Sequence, residues 1–184
     1  MFQSLEGKLL LAMPGMKDAR FVRSVIYMCS HSKEGAMGIA INKPTENLNF
    51  SQFLKQLNIK ATPAREIRIH AGGPVESGRG FVLHSSDYVQ DSTMKISDTI
   101  HLSATVDILK SLAADTGPKN YLIALGYAGW GEGQMEKEMA QNSWLSVDAD
   151  EAVIFESPIE EKWARAMAGV GIDVARLSGD AGHA

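Results

Sequence analysis

The sequence lacks the features of secreted and membrane-spanning proteins. Its 184 residues contain a single cysteine, Cys29, so no disulfide can form within the chain, as suits a reducing compartment. No uncharged apolar run approaches the ~18 residues of a membrane-spanning helix. A signal peptide is not expected either, because Pro14 and Gly15 cut the short apolar run near the N-terminus. These absences predict a cytoplasmic protein with no membrane partner.

The chain also lacks internal repeats, low-complexity segments and linkers. A chain of this length buries roughly 70% of its unfolded surface, so it needs neither a disulfide nor a metal to fold. Cys29 ends an apolar run, residues 25–28, which predicts a buried and inert thiol. One domain spanning residues 1–184 is therefore expected.

An excess of positive charge is missing as well. The net charge is −4 and the isoelectric point about 5.7, which argues against general affinity for nucleic acids. Basic residues outnumber acidic ones in residues 1–79, and the reverse holds in residues 80–184. This asymmetry indicates either a functional basic face or two halves whose charges mix in space. Without a helix-turn-helix or a basic recognition helix, direct DNA binding is not expected.

Recognised catalytic motifs are absent. The sequence has no nucleophile elbow, and its glycine spacing matches neither the phosphate loop nor the dinucleotide fingerprint. His31, His70, His84 and His101 are spread over four segments, and no two of them are three or four residues apart. Such spacing carries no metal signature. We therefore expect no metal and no cofactor, and structural roles for these histidines.

The pattern of apolar residues predicts an α+β fold. Strand-like runs occupy residues 8–13, 22–29, 36–42, 66–71, 80–84, 99–102, 121–125 and 152–155. Helical spacing is present at residues 50–57 and 134–142, and after Ser103, which resembles an N-cap. The last helix is expected to begin with Ser157 as cap, Pro158 in the first position and Glu160 in a capping box. Its buried stripe would comprise Ile159, Trp163, Met167 and Val170.

The stretch from Tyr121 to Leu145 is the most informative part of the chain. An apolar run leads into glycines interleaved with Tyr127 and Trp130, and a helix-like segment follows. Such a corner is either the wall of a ligand pocket or a crowded packing site where aromatic rings fill the space left by glycines. Glu132 and Glu136 are four residues apart, so they form either a pair for acid–base work or an acidic helix start favoured by the dipole.

Basic residues stand at several predicted strand ends. Arg20, Arg23, Lys43 (after Asn42) and Arg79 could converge on a carboxylate or phosphate, to which arginine presents a planar fork. The alternative is solvated loop charge, with Asp18 and Arg20 paired locally.

Several long motifs resemble the AlgH/YqgE family of bacterial proteins. They are LLLAMPGMKDARFVRSVIYMCSHSKEGAMGIAINKP, AGGPVESGRGFVLH, ALGYAGWGEGQMEKEMAQNSWL and WARAMAGVGIDVARLSGDAGHA, in that order. The resemblance implies a split, partly barrel-like mixed β-sheet surrounded by helices. Family members carry the label of transcriptional regulator without an assigned reaction, so no catalytic residue can be transferred to this chain.

The function expected from these observations is a binding or regulatory module that acts through a protein partner or a small ligand. The candidate ligand-binding residues are Arg20, Asn42, Lys43, Arg79, Tyr127, Trp130 and Glu132. One alternative is an enzyme that binds a small anionic substrate through Arg20, Lys43 or Arg79, with Glu132 or a histidine transferring a proton. The other alternative is a transcriptional regulator that binds DNA directly.

Overall fold

The computed structural model describes the backbone of residues 1–177 and the side chains of residues 1–176. The strands are β1 Leu9–Ala12, β2 Val25–Ser32, β3 Gly35–Ala40, β4 Ile69–Ala71, β5 Val75–Ser85, β6 Met94–Lys95, β7 Ile100–Ser103, β8 Tyr121–Trp130 and β9 Trp144–Val147. The helices are α1 Phe50–Gln56, α2 Val106–Ala113, α3 Gln134–Ala140, α4 Lys162–Gly169 and α5 Val174–Leu177. Within this part of the chain no helix has the length and apolar character needed to cross a membrane.

The strands form a curled antiparallel half-barrel, which confirms the predicted α+β class. The strand order is β6-β7-β5-β8-β3-β2-β1-β9, and β4 pairs in parallel with β8. β8 belongs to both halves of the sheet. Its first part pairs with β5, and its last residues, Ala128, Gly129 and Trp130, pair with β3. The tight turn between β2 and β3 leaves His31 inside β2.

β8 bends at Gly126, where the chain adopts a φ of +73°. The turn before β5 packs against this bend, backbone to backbone. A Cβ atom on Gly73 would lie 2.1 Å from the carbonyl carbon of Tyr127, and one on Gly126 would lie 2.4 Å from the Gly73 carbonyl oxygen. The glycines of this corner therefore permit a close crossing of two chain segments.

The apolar residues of β1 are buried on both faces of the sheet, as in a strand covered on two sides. Leu9 and Leu11 join a central cluster with Trp163 and Met167 of α4. Leu10 and Ala12 join a second cluster with the indoles at the ends of β8 and β9. A third cluster lies under α1 and α2. The central cluster also contains Cys29, which is buried as predicted, and burial raises the pKa of its thiol.

One predicted strand and two predicted helix caps were wrong. Residues 152–155 form a π-helical turn, Ala152–Glu156, because local carbonyls and the Lys162 ammonium satisfy its backbone instead of a strand partner. Ser157 does not cap the last helix: its hydroxyl donates to the Ala152 carbonyl, and a 3₁₀ turn, Ile159–Glu161, precedes α4. Ser103 ends β7, and Thr105 is the N-cap residue of α2.

Other bounds differ by a few residues. β2 begins at Val25 rather than at residue 22, because residues 22–24 form an irregular loop. Val170 is 48% exposed and lies outside the buried stripe of α4, whereas Ile159, Trp163 and Met167 are buried as predicted. The sequence analysis missed β6 and β9. The spacing at residues 50–57 correctly predicted α1, whose start is closed by a reciprocal Asn49–Gln52 capping box.

Candidate functional site

Two of the four basic residues expected to converge lie at one cavity. Arg23 and Lys43, together with Asn42, line a cavity of about 220 Å³ between the loop before β2, the end of β3 and α4. Its other walls are Ile159, Glu160, Trp163, Ala164 and Val174. We call this the Arg23 cavity.

Asn42 shapes the loop that carries Arg23. Its side-chain Nδ2 donates to the Arg23 carbonyl at 2.7 Å, and its Oδ1 accepts from the Val25 N–H at 2.8 Å. Both ends of its carboxamide are therefore used to hold the chain on either side of Ser24. Asn42 is a positioning residue that fixes the loop against the sheet.

Lys43 binds the same loop at Val22, the residue before Arg23. Its ammonium donates to the Val22 carbonyl at 2.6 Å. Between these two clamps Arg23 has a φ of +56°, in the left-handed region that costs a non-glycine residue about 1–3 kcal/mol. These hydrogen bonds therefore hold Arg23 in a backbone conformation that is unfavourable for a non-glycine residue. This conformation places the arginine at the cavity.

The Arg23 guanidinium lies over the indole of Trp163, 5.3 Å from the ring centroid. That indole is fixed in turn, because its N–H donates to the Ala12 carbonyl at 2.9 Å. The neighbouring Lys162 is 2% exposed and donates to the carbonyls of Ile41 (3.0 Å) and Ile154 (2.7 Å). These bonds attach the start of α4 to β1 and to Ile41, the residue after β3.

Among the described residues, no carboxylate balances the charges of Arg23 and Lys43. Within residues 1–176 no carboxylate lies within ion-pair distance of Arg23 or Lys43. Glu160 lines the cavity, but its carboxylate accepts from the Arg68 guanidinium at 3.2 Å. Burial lowers the pKa of Lys43 and that of Lys162, the latter to about 8 with a contribution from the charge of Arg68. This end of the sheet is thus short of negative charge.

The other two basic residues lie elsewhere. Arg20 forms a bidentate pair with Asp18, with nitrogen–oxygen distances of 3.1 and 2.8 Å. Arg79 lies 3.6 Å from a Glu76 carboxylate oxygen and covers the ring of Phe81. The local Asp18–Arg20 pair is the alternative that the sequence had offered.

The glycine–aromatic corner is mainly a packing site. Trp130 is 6% exposed and packs against Trp144 and Phe21, with ring centroids 6.1 and 6.5 Å away. Tyr127 packs edge-on against Phe81 on the other half of the sheet. Glu132 is exposed in the turn before α3, and its side chain makes no hydrogen bond or ion pair in the described part of the chain. The structure therefore does not gather Tyr127, Trp130 and Glu132 into one pocket.

Sequence reasoning missed Glu138, which lies at the centre of this corner. Its Oε2 accepts from the indole N–H of Trp130 at 2.8 Å and from that of Trp144 at 2.9 Å, and its Oε1 accepts from Gln134 Nε2 at 3.2 Å. Two tryptophans flanking an acidic helix were the available signal. Beside this carboxylate lies a cleft of about 530 Å³, which we call the Glu138 cleft. It is lined by Gly15, Met16, Lys17, Asp18, Phe21, Glu138, Gln141, Asn142, Ser143 and Trp144.

The four histidines of the sequence analysis line neither cavity. The ring of His31 bridges the Leu5 N–H, at 3.0 Å from Nδ1, and a Glu136 carboxylate oxygen, at 2.9 Å from Nε2. Nδ1 of His70 donates to the Ile123 carbonyl at 3.1 Å, and burial lowers the pKa of His70 to about 4. His84 and Ser103 form a buried hydrogen bond of 2.8 Å, next to His101. No three His, Cys, Asp or Glu side chains cluster as metal ligands among the described residues.

Comparison with known proteins identifies the family. The sequence model of the AlgH-like family matches residues 9–175. A UPF0301 protein of Rhodopseudomonas palustris is 51% identical over 98% of this chain and 87% of its own length, and one of Rhodospirillum rubrum is 49% identical over 98% and 94%.

Solved structures agree with this assignment. The solution structure of the AlgH protein from Pseudomonas aeruginosa superimposes with a TM-score of 0.82, at 43% identity and with complete coverage of both chains. A Corynebacterium diphtheriae protein, 17% identical over 92% of this chain and 88% of its own, has the same fold with a TM-score of 0.70. The chain belongs to the AlgH-like family, whose function is unknown.

Proposed function

We propose that the protein is a binding module that holds a small anionic ligand, with a carboxylate or phosphate group, in the Arg23 cavity. The observation that carries the proposal is the pair of cations, Arg23 and Lys43, which line one cavity without a carboxylate partner among the described residues. A guanidinium fork and an ammonium are the groups with which proteins bind carboxylates and phosphates.

The loop conformation supports the same conclusion. Asn42 and Lys43 hold Arg23 at a positive φ, and strained backbone of this kind concentrates at ligand sites.

The cavity is equipped for binding rather than for a reaction. In the described part of the chain Glu160 is the only acidic residue that lines it, and Glu160 is paired with Arg68. Neither Glu132 nor a histidine is among its described lining residues. A general acid or base must lie within hydrogen-bond reach of the reacting proton. We therefore favour a ligand sensor or carrier over the enzyme of the sequence analysis.

We further propose that the chain acts in the cytoplasm as a single domain. The buried thiol of Cys29, which is unpaired, suits a reducing compartment. The half-barrel whose two halves share β8 supports the single domain.

The test is an NMR titration of the ¹⁵N-labelled protein with inorganic phosphate and, separately, with acetate. We expect saturable shifts of the Arg23 Nε–H and of the amides of residues 22–25 and 42–43. Arg23→Gln should abolish them, because the Arg23 side chain supplies the positive fork. The matched control is Arg20→Gln, which removes an arginine already paired with Asp18, and it should leave the shifts unchanged.

Two results would overturn the proposal. One is a linear, non-saturating response to both anions. The other is a saturable response that Arg23→Gln retains, because the anion would then bind elsewhere. The thermal midpoint of each variant, measured in parallel, excludes loss of folding as the cause.

A further inference from the structure

The Glu138 cleft is a second built site, separate from the Arg23 cavity. We propose that it binds the zwitterionic head of an α-amino acid and seats an apolar or aromatic side chain against Phe21 and Trp144. The cleft encloses about 530 Å³ between residues 15–18 and the end of α3. Ligand pockets of roughly 300–1,000 Å³ are the usual size for small molecules.

The negative group of this site is fixed in place. Glu138 accepts both indole N–H groups of Trp130 and Trp144 and one amide hydrogen of Gln134, so its carboxylate cannot swing into solvent. Both tryptophans are at most 6% exposed, which makes their positions part of the core. A preorganised carboxylate costs little entropy when a ligand ammonium pairs with it.

Two of the charged residues that line the cleft have no oppositely charged partner among the described residues, and they carry opposite signs. Asp18 also lines the cleft, but Arg20 neutralises it with two hydrogen bonds. Lys17 has no ion-pair or hydrogen-bond partner in the described part of the chain. The uncommitted charges are therefore the Lys17 ammonium and the Glu138 carboxylate, which are complementary to a ligand carrying both an ammonium and a carboxylate.

Polar and aromatic groups complete the site. The side chains of Gln141 and Asn142 line the cleft, and neither makes a hydrogen bond to another described residue. Asn142 has a φ of +56°, a conformation imposed by the turn that closes α3. Phe21 and Trp144 meet edge to face with centroids 5.8 Å apart. The cleft thus offers a complementary group for the ammonium, for the carboxylate and for the side chain of an amino acid.

The test compares three probes that share one ring and differ in charge: phenylalanine, phenethylamine and 3-phenylpropionate. Binding is followed by tryptophan fluorescence, since Trp144 lines the cleft. We expect phenylalanine to bind roughly tenfold more tightly than either analogue, a ratio that corresponds to about 1.4 kcal/mol. Lys17→Met should abolish the preference over phenethylamine, because the carboxylate then has no cationic partner.

The matched control is Lys137→Met, which removes an exposed lysine of α3 that does not line the cleft. Lys137→Met should leave the preference for phenylalanine over phenethylamine intact. Arg23→Gln should also leave it intact, which separates this site from the anion site proposed above. Failure of all three probes to bind would overturn the proposal. Equal or tighter binding of phenethylamine would overturn it too, and so would a preference for phenylalanine that Lys17→Met retains.

Discussion

Replacing Glu138 by Leu should destabilise the protein more than almost any other change to a partly exposed residue. The substitution removes the acceptor of two indole N–H groups, those of Trp130 and Trp144, at 2.8 and 2.9 Å. Those tryptophans are 6% and 4% exposed, so water has little access to the orphaned donors. Each unsatisfied buried donor costs about 1–3 kcal/mol, which gives a total of roughly 2–6 kcal/mol.

This loss is large against the 5–15 kcal/mol of net stability that is usual for a domain. Glu138→Gln should cost less, about 1–2 kcal/mol, because its amide oxygen can still accept while the charge assistance is lost. The control is Glu132→Gln, a change to an exposed acidic residue of the preceding turn whose side chain makes no hydrogen bond or ion pair with another described residue. It should change stability by no more than ~0.5 kcal/mol.

Urea denaturation followed by circular dichroism measures these differences without relying on the tryptophans themselves. A loss below about 1 kcal/mol for Glu138→Leu would contradict this prediction, since a relaxed or hydrated corner would then satisfy both indole N–H groups. An equal loss for Glu132→Gln would also refute it, because the effect would then be general electrostatics.

Three other substitutions test a backbone crossing, the loop at the Arg23 cavity and a buried histidine. Gly73→Ala should cost about 3 kcal/mol or more in urea denaturation, because its Cβ would overlap the Tyr127 carbonyl, whereas Gly131→Ala, with open space around it, should be near neutral. Arg23→Gly should be about 1 kcal/mol more stable in thermal denaturation than Arg23→Ala, because only glycine relieves the positive φ, and equal midpoints would contradict this. His70 has a folded pKa of about 4, below the ordinary 6.5, so the unfolded chain binds its proton first. Stability should fall by up to about 3 kcal/mol as the pH drops from 6.5 towards 4, and His70→Gln should flatten that slope in denaturation curves taken across this range.

Local patterns in the sequence were sufficient to predict the helices and strands whose apolar residues are periodic or continuous. The spacing of Phe50, Phe53, Leu54 and Leu57 predicted α1, and continuous apolar runs predicted β1, β3 and the start of β8. β9 was missed, because its four residues follow a helix directly and owe their conformation to pairing with β1. The π-helical turn was misread as a strand, since its residues are apolar and no local pattern shows that its carbonyls accept hydrogen bonds from Ser157 and Lys162.

The sequence predicted the types of residue at the candidate sites, but it did not predict which of these residues lie together in the fold. Basic residues at strand ends led to the prediction of an anion site, but which of them share a cavity depends on the hydrogen bond from Asn42 to Arg23, nineteen residues away in sequence. Glu138 was overlooked for a similar reason. Its importance depends on two tryptophans that reach it from different strands, and no local spacing rule encodes that meeting.

The position of β8 has a consequence for synthesis on the ribosome. β3 and β5 are both made before β8, and each pairs with it along an edge that stays open until residues 121–130 have emerged. The edge of β1 that pairs with β9 likewise stays open until β9 has been synthesised. Open strand edges invite pairing with other chains, so the nascent protein carries its aggregation hazard through most of translation. A stop codon before residue 121 would release a product with no means of closing those edges.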